Sequence, residues 1–330
     1  MRMITRISGT AIGRARGAVS GPVPGLEKVM SDGRRDFARM RSILEVPILN
    51  DKFWVKVPEV ASDAIMIDLE DSAAPNTKVA AREKTVEWLG RPEYFGGRPV
   101  IVRVNNLHTP WARDDIAALA KIESEFVICY PKVQTADELA EVRRLIEADG
   151  PARGLHVMIE TARAVMELES IARADGVVGL HYGYVDLAAD IGSRPFDDDG
   201  LHEIAHHYAR AKIAMAAAAY GLFATGGSLI PDYKDMEKVR KHVKMWADMG
   251  YTACIAVSPA HLDLINELMS PSEREVEIAT EVCLAYQDCM DRGEPAAMVN
   301  GKVVTMPDYR VAALTLARAG VDGVVDPAFA

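Results

Sequence analysis

Short β-branched or apolar runs alternate along the chain with longer stretches in which apolar residues recur three or four apart. That alternation predicts βαβ units around a parallel sheet. Eight runs read as strands, at 42–46, 64–69, 100–104, 126–130, 156–159, 176–180, 222–225 and 253–257. The stretches between them carry helical spacing, as in Leu139, Val142, Leu145 and Ile146 and again in Ile204, Tyr208, Ile213 and Met215. The predicted fold is therefore α/β, a closed (β/α)8 TIM barrel. Beyond Pro271, a helix from Glu273 to about Asp291, a turn with Gly293 and Gly301, and a last helix from about Asp308 predict a C-terminal helical extension. The expected plan is a basic, flexible segment over 1–35, a barrel catalytic domain over 36–269 and the extension over 270–330.

Composition narrows the classes of function. With 49% hydrophobic and 26% charged residues in 330, the chain has ample material for one sizeable core. Its net charge of -10 excludes a nucleic-acid role, because phosphate binding relies on clustered Lys and Arg. No apolar run approaches the roughly 20 residues of a membrane helix, so no membrane partner is expected. The four cysteines form no C-x-x-C pair and suit buried positions in a reducing compartment, which predicts a cytoplasmic protein. Arg2, Arg6, Arg14 and Arg16 precede the first acid, Glu27; a transit peptide shares that pattern, but we read a basic tail.

In such a barrel the chemistry sits at the C-terminal ends of the strands. Here those ends are acidic: Asp68-Leu69-Glu70-Asp71 after the second, Glu160-Thr161 after the fifth and Asp186 beyond the sixth, with Arg103, Asn105 and Pro131-Lys132 between. One acid at a strand end is usually a helix cap or a solvated charge. Several converging acids repel one another and raise each other's pKa unless a cation balances them. Two carboxylates with water and substrate filling an octahedron describe a Mg²⁺ site, and Glu160 and Asp186 could supply the pair. Such an ion would polarise a 2-oxo acid and stabilise an enolate, a charge that Arg103 can share through its fixed fork. His181 is a candidate acid or base at the rim and His108 a weaker one. His202 and His206 lack zinc-peptidase spacing and read as helix surface. Gly226-Gly227-Ser228 reads as a phosphate cradle or a plain tight turn. Lys78, Arg82 and Lys132 read as phosphate contacts or partners of nearby acids.

The string Ile65-Met66-Ile67-Asp68-Leu69-Glu70-Asp71-Ser72-Ala73-Ala74-Pro75, with Lys78 and Arg82, resembles the "DLEDAVAP…K…AR" stretch of citrate lyase β-subunit-like proteins in the HpcH/HpaI aldolase group. Val102-Arg103-Val104-Asn105, Thr109-Pro110-Trp111, Pro131-Lys132-Val133, Ile159-Glu160-Thr161 and the segment from Gly183 to Gly192 resemble further landmarks of that family, in order, from about Arg41 to Arg318. The resemblance implies Glu160 and Asp186 as Mg²⁺ ligands, with Mn²⁺ as a substitute, and Arg103 as the substrate and enolate clamp. It implies that Glu70 and Asp71 hold metal-bound water and that Lys132, Thr161 and Gly183 line the substrate. It also implies a homotrimer or homohexamer in which the tail from Ser270 packs on a neighbouring subunit.

Three segments depart from the family pattern. Thr305 replaces the acid of the "GKMIDxP" segment, and a hydroxyl has no useful pKa for general acid work; Asp308 reads as a helix cap. The segment from Ala253 to His261 lacks the usual Lys and His, with Cys254 in the region where the lysine would stand. Glu45 adds an acid at the end of the first strand, unfavourable to phosphate. The expected function is a Mg²⁺-dependent carbon–carbon lyase acting on a 2-oxo acid or on an acyl-CoA of the citryl-, malyl- or citramalyl-CoA type. The alternatives are an aldolase on free hydroxy-oxo acids, such as adducts of pyruvate or oxaloacetate, and a non-catalytic metal-binding barrel.

Overall fold

The structure is a computed structural model and describes residues 39–197, 200–201 and 203–325; the basic segment over 1–35 and His202 lie outside the described residues. In chain order the strands are β1 (Ser42–Pro47), β2 (Ala64–Asp68), β3 (Val100–Arg103), β4 (Val127–Tyr130), β5 (Leu155–Ile159), β6 (Val177–Tyr182), β7 (Phe196–Asp197), β8 (Gly200–Leu201), β9 (Phe223–Gly227), β10 (Ala253–Ala256), β11 (Ala297–Val299) and β12 (Lys302–Val304). The order β1-β10-β9-β6-β5-β4-β3-β2 closes on itself with every pair parallel. The expected eight-stranded barrel is therefore present; β7–β8 and β11–β12 are small antiparallel ribbons outside it.

The period of two along each strand sorts side chains into two shells. Ile43, Ala64, Met66, Ile101, Cys129, Met158, Phe223 and Ile255 fill the barrel interior. Leu44, Ile65, Val102, Ile128, Val157 and Leu180 face the surrounding helices. Inside, small residues make room for large ones: a Cβ on Gly179 would lie 2.4 Å from the Phe223 ring.

Two sequence expectations change. β6 runs two residues further than predicted, so His181 belongs to the strand and points into the closed interior rather than the rim. The helix Glu203–Tyr220 buries His206, Ala209, Arg210, Ile213 and Ala217, while Tyr208 and Met215 are exposed. Of the expected Ile204–Tyr208–Ile213–Met215 stripe, Ile213 lies on the packed face while Tyr208 and Met215 face outward, and His206 is buried against the Tyr182 hydroxyl rather than on the surface.

After the barrel, the helices Glu273–Asp291 and Met306–Ala319 pack on each other around their own core of Val282, Cys283, Tyr286, Tyr309 and Leu316. The last helix starts earlier than expected. Thr305 is its N-cap, and Asp308, two residues past the first helical position, accepts from both the Thr305 N–H and its hydroxyl at 2.8 and 2.7 Å. Asp308 therefore closes a capping box from within the helix instead of starting it.

Gly226 has Trp246 packed directly over it, with a Cβ there only 2.4 Å from the buried indole. Gly226→Ala should therefore destabilise the fold by about 1–3 kcal/mol through overpacking, measured by urea denaturation.

Candidate active site

Asp68 ends β2 directly opposite Arg103 on β3. Arg103 Nε donates to Asp68 Oδ1 at 2.6 Å, Nη2 donates to Glu45 Oε1 at 3.0 Å, and Nη1 lies 3.7 Å from Glu70 Oε2. Asp68 is fully buried and also accepts from the N–H groups of Glu70 and Ser72. Burial opposes its charge, but Arg103 and these two donors outweigh it and hold the carboxyl below its usual range. Glu45 lacks such donors: burial, only partly offset by Arg103, lifts it to about 7, with Asp68, Asp71 and Glu70 adding to the rise.

The turn after β2 is fixed from below. Lys78, itself buried, donates to the carbonyls of Leu69 and Glu70. Arg82 Nε donates to buried Asp115 at 2.8 Å, and Asp115 in turn accepts from Asn105 Nδ2. Both cations considered as phosphate contacts are thus committed to holding loops. Lys132 is placed differently, at the mouth. Its ammonium is 2.6 Å from Glu70 Oε1 and 3.6 Å from both Asp71 and Asp186.

Lys132 also has φ +49°, a left-handed backbone that is uncommon for a residue with a side chain. That conformation directs its N–H to Glu160 Oε1 at 2.7 Å. Glu160 is buried just beyond β5, and its carboxyl is pushed up to about 8 by burial, then by Asp186 and Glu70. Gly183 provides the space, since a Cβ there would fall 2.2 Å from Glu160 Oε2. Asp186 stands in the first turn of the helix Tyr184–Ile191 with its side chain 41% exposed.

The structure thus brings Arg103, Glu70, Asp71, Lys132, Glu160 and Asp186 to one mouth. Thr161 sits beside them with its hydroxyl engaged: it caps the helix Ala162–Met166 by accepting from Ala164 N and donates to Val133 O. Gly183 meets Glu160, so its place in the site is to admit that carboxylate.

Other candidates lie elsewhere. His181 Nδ1 and His156 Nε2 both meet Thr225 Oγ1 at 2.9 Å in the interior, and burial lowers both rings' pKa, that of His156 to about 3. His108 is exposed, 3.6 Å from Glu138. Gly226 and Gly227 are packing positions under Trp246 and Tyr184, and Ser228 is buried against His261. Cys254 is buried on the outer face of β10.

Sequence reasoning missed Glu45 as a partner of Arg103. The signal was present: Glu45 alternates with interior Ile43, and an acid facing a barrel interior needs a cation.

Among the described residues, no group of three or more His, Cys, Asp or Glu side chains forms a metal cage. The donor set nevertheless fits a hard divalent ion supplied with water and substrate oxygens. Two carboxylates flank Lys132 here, one raised by burial and then by like charge, and a lysine ammonium already lies among the acids.

The model of the HpcH/HpaI aldolase/citrate lyase family matches residues 41–259. The chain belongs to this family. A (3S)-malyl-CoA thioesterase of Cereibacter sphaeroides is 35% identical over 279 residues, covering 84% of this chain and 94% of the relative. The citrate lyase subunit beta of Leuconostoc mesenteroides subsp. cremoris is 29% identical, covering 87% and 95%. Among solved structures, the protein CitE from Mycobacterium tuberculosis in complex with magnesium, acetoacetate and coenzyme A superposes with a TM-score of 0.71 at 26% identity, over 86% of this chain and 99% of that one. The relatives compared thus include a citrate lyase subunit and a thioesterase.

The raised Glu160 carboxyl gives a pH-dependent stability test. Its folded pKa of about 8 exceeds the ordinary 4.5, so its contribution is fully present below 4.5 and is lost as pH rises through 8. In chelator, Glu160→Gln should melt close to the wild type at pH 5 and above it at pH 8.5. Mg²⁺ should raise the melting temperature of the wild type alone, read by differential scanning fluorimetry.

Proposed function

We propose that this protein is a Mg²⁺-dependent carbon–carbon lyase that cleaves or forms a bond next to a carboxylate or thioester, through the enolate of a 2-oxo acid or acyl-CoA. The observation that carries it is the pairing of Glu160 and Asp186 across Lys132, one residue touching both acids, beside the Arg103 guanidinium.

Glu160 and Asp186 would hold the cation. Once bound, it would polarise the substrate carbonyl and spread the charge of the enolate. The protein's own groups supply the rest. Two of the five N–H donors of Arg103 are spent on Asp68 and Glu45, and its Nη1 edge, in ion-pair reach of Glu70 at 3.7 Å but without a hydrogen bond to it, would receive a substrate carboxylate or enolate oxygen. Asp68, sealed beneath, keeps that guanidinium from swinging with the substrate. Glu70 and Asp71 would orient water beside the cation. Lys132, freed from part of its acid contacts by the bound charge, would turn to the substrate. An open depression of about 620 Å³ beside the end of β1, lined by Pro47, Leu49, Asn50, Asp51, Lys52 and Ser72, offers room for the remainder of a larger substrate.

Glu160→Ala and Asp186→Ala should each abolish Mg²⁺ binding, measured by calorimetry, and Mg²⁺-dependent exchange of pyruvate methyl protons into D₂O, measured by NMR. Exchange retained in either variant would sink the enolate reading.

A second reading, thioester hydrolysis, is favoured by the likeness to the malyl-CoA thioesterase. Products separate the two. From malyl-CoA a lyase releases acetyl-CoA and glyoxylate, and a hydrolase releases malate and free CoA. We expect the lyase products, with a larger thermal shift from acetyl-CoA or from pyruvate, each with Mg²⁺, identifying the substrate class.

A further inference from the structure

Glu45 has no place in the roles above. It stands on β1 in the inward-facing series with Ile43, at the C-terminal end of the barrel, and its side chain is 23% exposed, whereas Asp68 beside it is sealed. It accepts a single bond, 3.0 Å from Arg103 Nη2. A substrate oxygen received on Nη1 of Arg103 would therefore lie on the same guanidinium edge that meets the Glu45 carboxyl through Nη2. Neither loop fixation nor cation binding uses this acid. Such a group costs stability through charge crowding, so a chemical role is the economical account of it.

Resting on the enolate reading, we propose that Glu45 is the catalytic acid–base that carries the proton to and from the enolate carbon. In the cleavage direction the Glu45 O–H bond breaks and a C–H bond forms at the enolate carbon; the enolate electron pair makes that bond, the carbonyl re-forms and Glu45 is left as carboxylate. In the reverse direction the carboxylate takes the α-proton and the C–H pair becomes the enolate.

The groups around it set its proton affinity. Burial disfavours its charge and Arg103 on β3 favours it; Asp68 on β2 and Asp71 and Glu70 on the following turn add like charge that opposes it, although Arg103 and Lys132 pair with these acids, and the buried Tyr184 at the start of its helix also faces it. The balance places its titration near 7, where a proton can be both given and taken.

The experiment is the exchange of pyruvate methyl protons into D₂O at saturating Mg²⁺, from pH 5.5 to 9. The wild-type rate should rise with pH through about 7 and then level, because the carboxylate is the active form for abstraction. Glu45→Gln keeps an oxygen to accept from Arg103, so Mg²⁺ affinity should stay within about twofold while exchange falls by about 100-fold or more. Glu45→Asp should restore part of the rate together with the pH inflection. Exchange in Glu45→Gln within about twofold of wild type would show that Glu45 only positions Arg103 and would overturn the proposal. So would a wild-type profile flat between pH 6 and 8, a result independent of whether any variant folds. No exchange in the wild type would sink the enolate reading and this proposal with it, whereas exchange that survives in Glu45→Gln sinks this proposal alone.

Discussion

The hydrogen bond between Arg103 and Asp68 joins two neighbouring strands at the level where the barrel core stops and the mouth begins, and the arrangement above it depends on that bond. Both groups are buried, and each alone would be a costly unpaired charge; removing one partner of such a pair typically costs about 3–5 kcal/mol. The two N–H groups of the turn after β2 complete the shell of Asp68, so the same carboxylate that anchors Arg103 also shapes the turn that presents Glu70 and Asp71. Charge and backbone geometry are set by one residue. Lys78, donating to the carbonyls of that turn from the following helix, leaves it little freedom.

On this base the mouth gathers more negative than positive charge. Arg103 and Lys132 face Glu45, Asp68, Glu70, Asp71, Glu160 and Asp186, and burial and the excess charge show in the carboxyls with a single donor: Glu160 and Glu45 are lifted, while Asp68, with three, is held down. The fold maintains the crowding by specific means. Gly183 leaves the gap into which Glu160 fits, and the left-handed Lys132 offers it one N–H. A site tuned for stability alone would have neutralised these acids; one that must accept a cation and an anionic substrate keeps them.

How much of this was readable in the chain follows from which interactions are local. The strands were legible because burial on both faces makes each run almost continuously apolar, and the acids at their ends were legible because barrel topology sends those ends to one face. The end of β6 was not: His181 is polar, and a polar residue after an apolar run looks like a strand end unless its partner Thr225, 44 residues on, is known. The buried face of Glu203–Tyr220 was hidden for the same reason. Its stripe passes through His206 and Arg210, which hydropathy assigns to water, and burial of these side chains depends on contacts with other elements, such as the Tyr182 hydroxyl on β6. Glu45 was visible as an extra acid, but its partner stands on β3, 58 residues away.

Thr305 and Asp308 connect the end of the chain to the same question. Both oxygen-bearing side chains are turned toward one another in the capping box, and Asp308 is held below the usual carboxylate range by the Thr305 hydroxyl and N–H. A carboxylate stabilised in its charged form by helix-capping donors is a poor proton carrier near neutrality, because its function is to stay ionised. The helix start therefore gains a cap and loses a titratable group. A proton-transfer step at the mouth then falls to a carboxyl whose surroundings do the opposite, desolvating it and setting like charges against it. On β1, that carboxyl is Glu45.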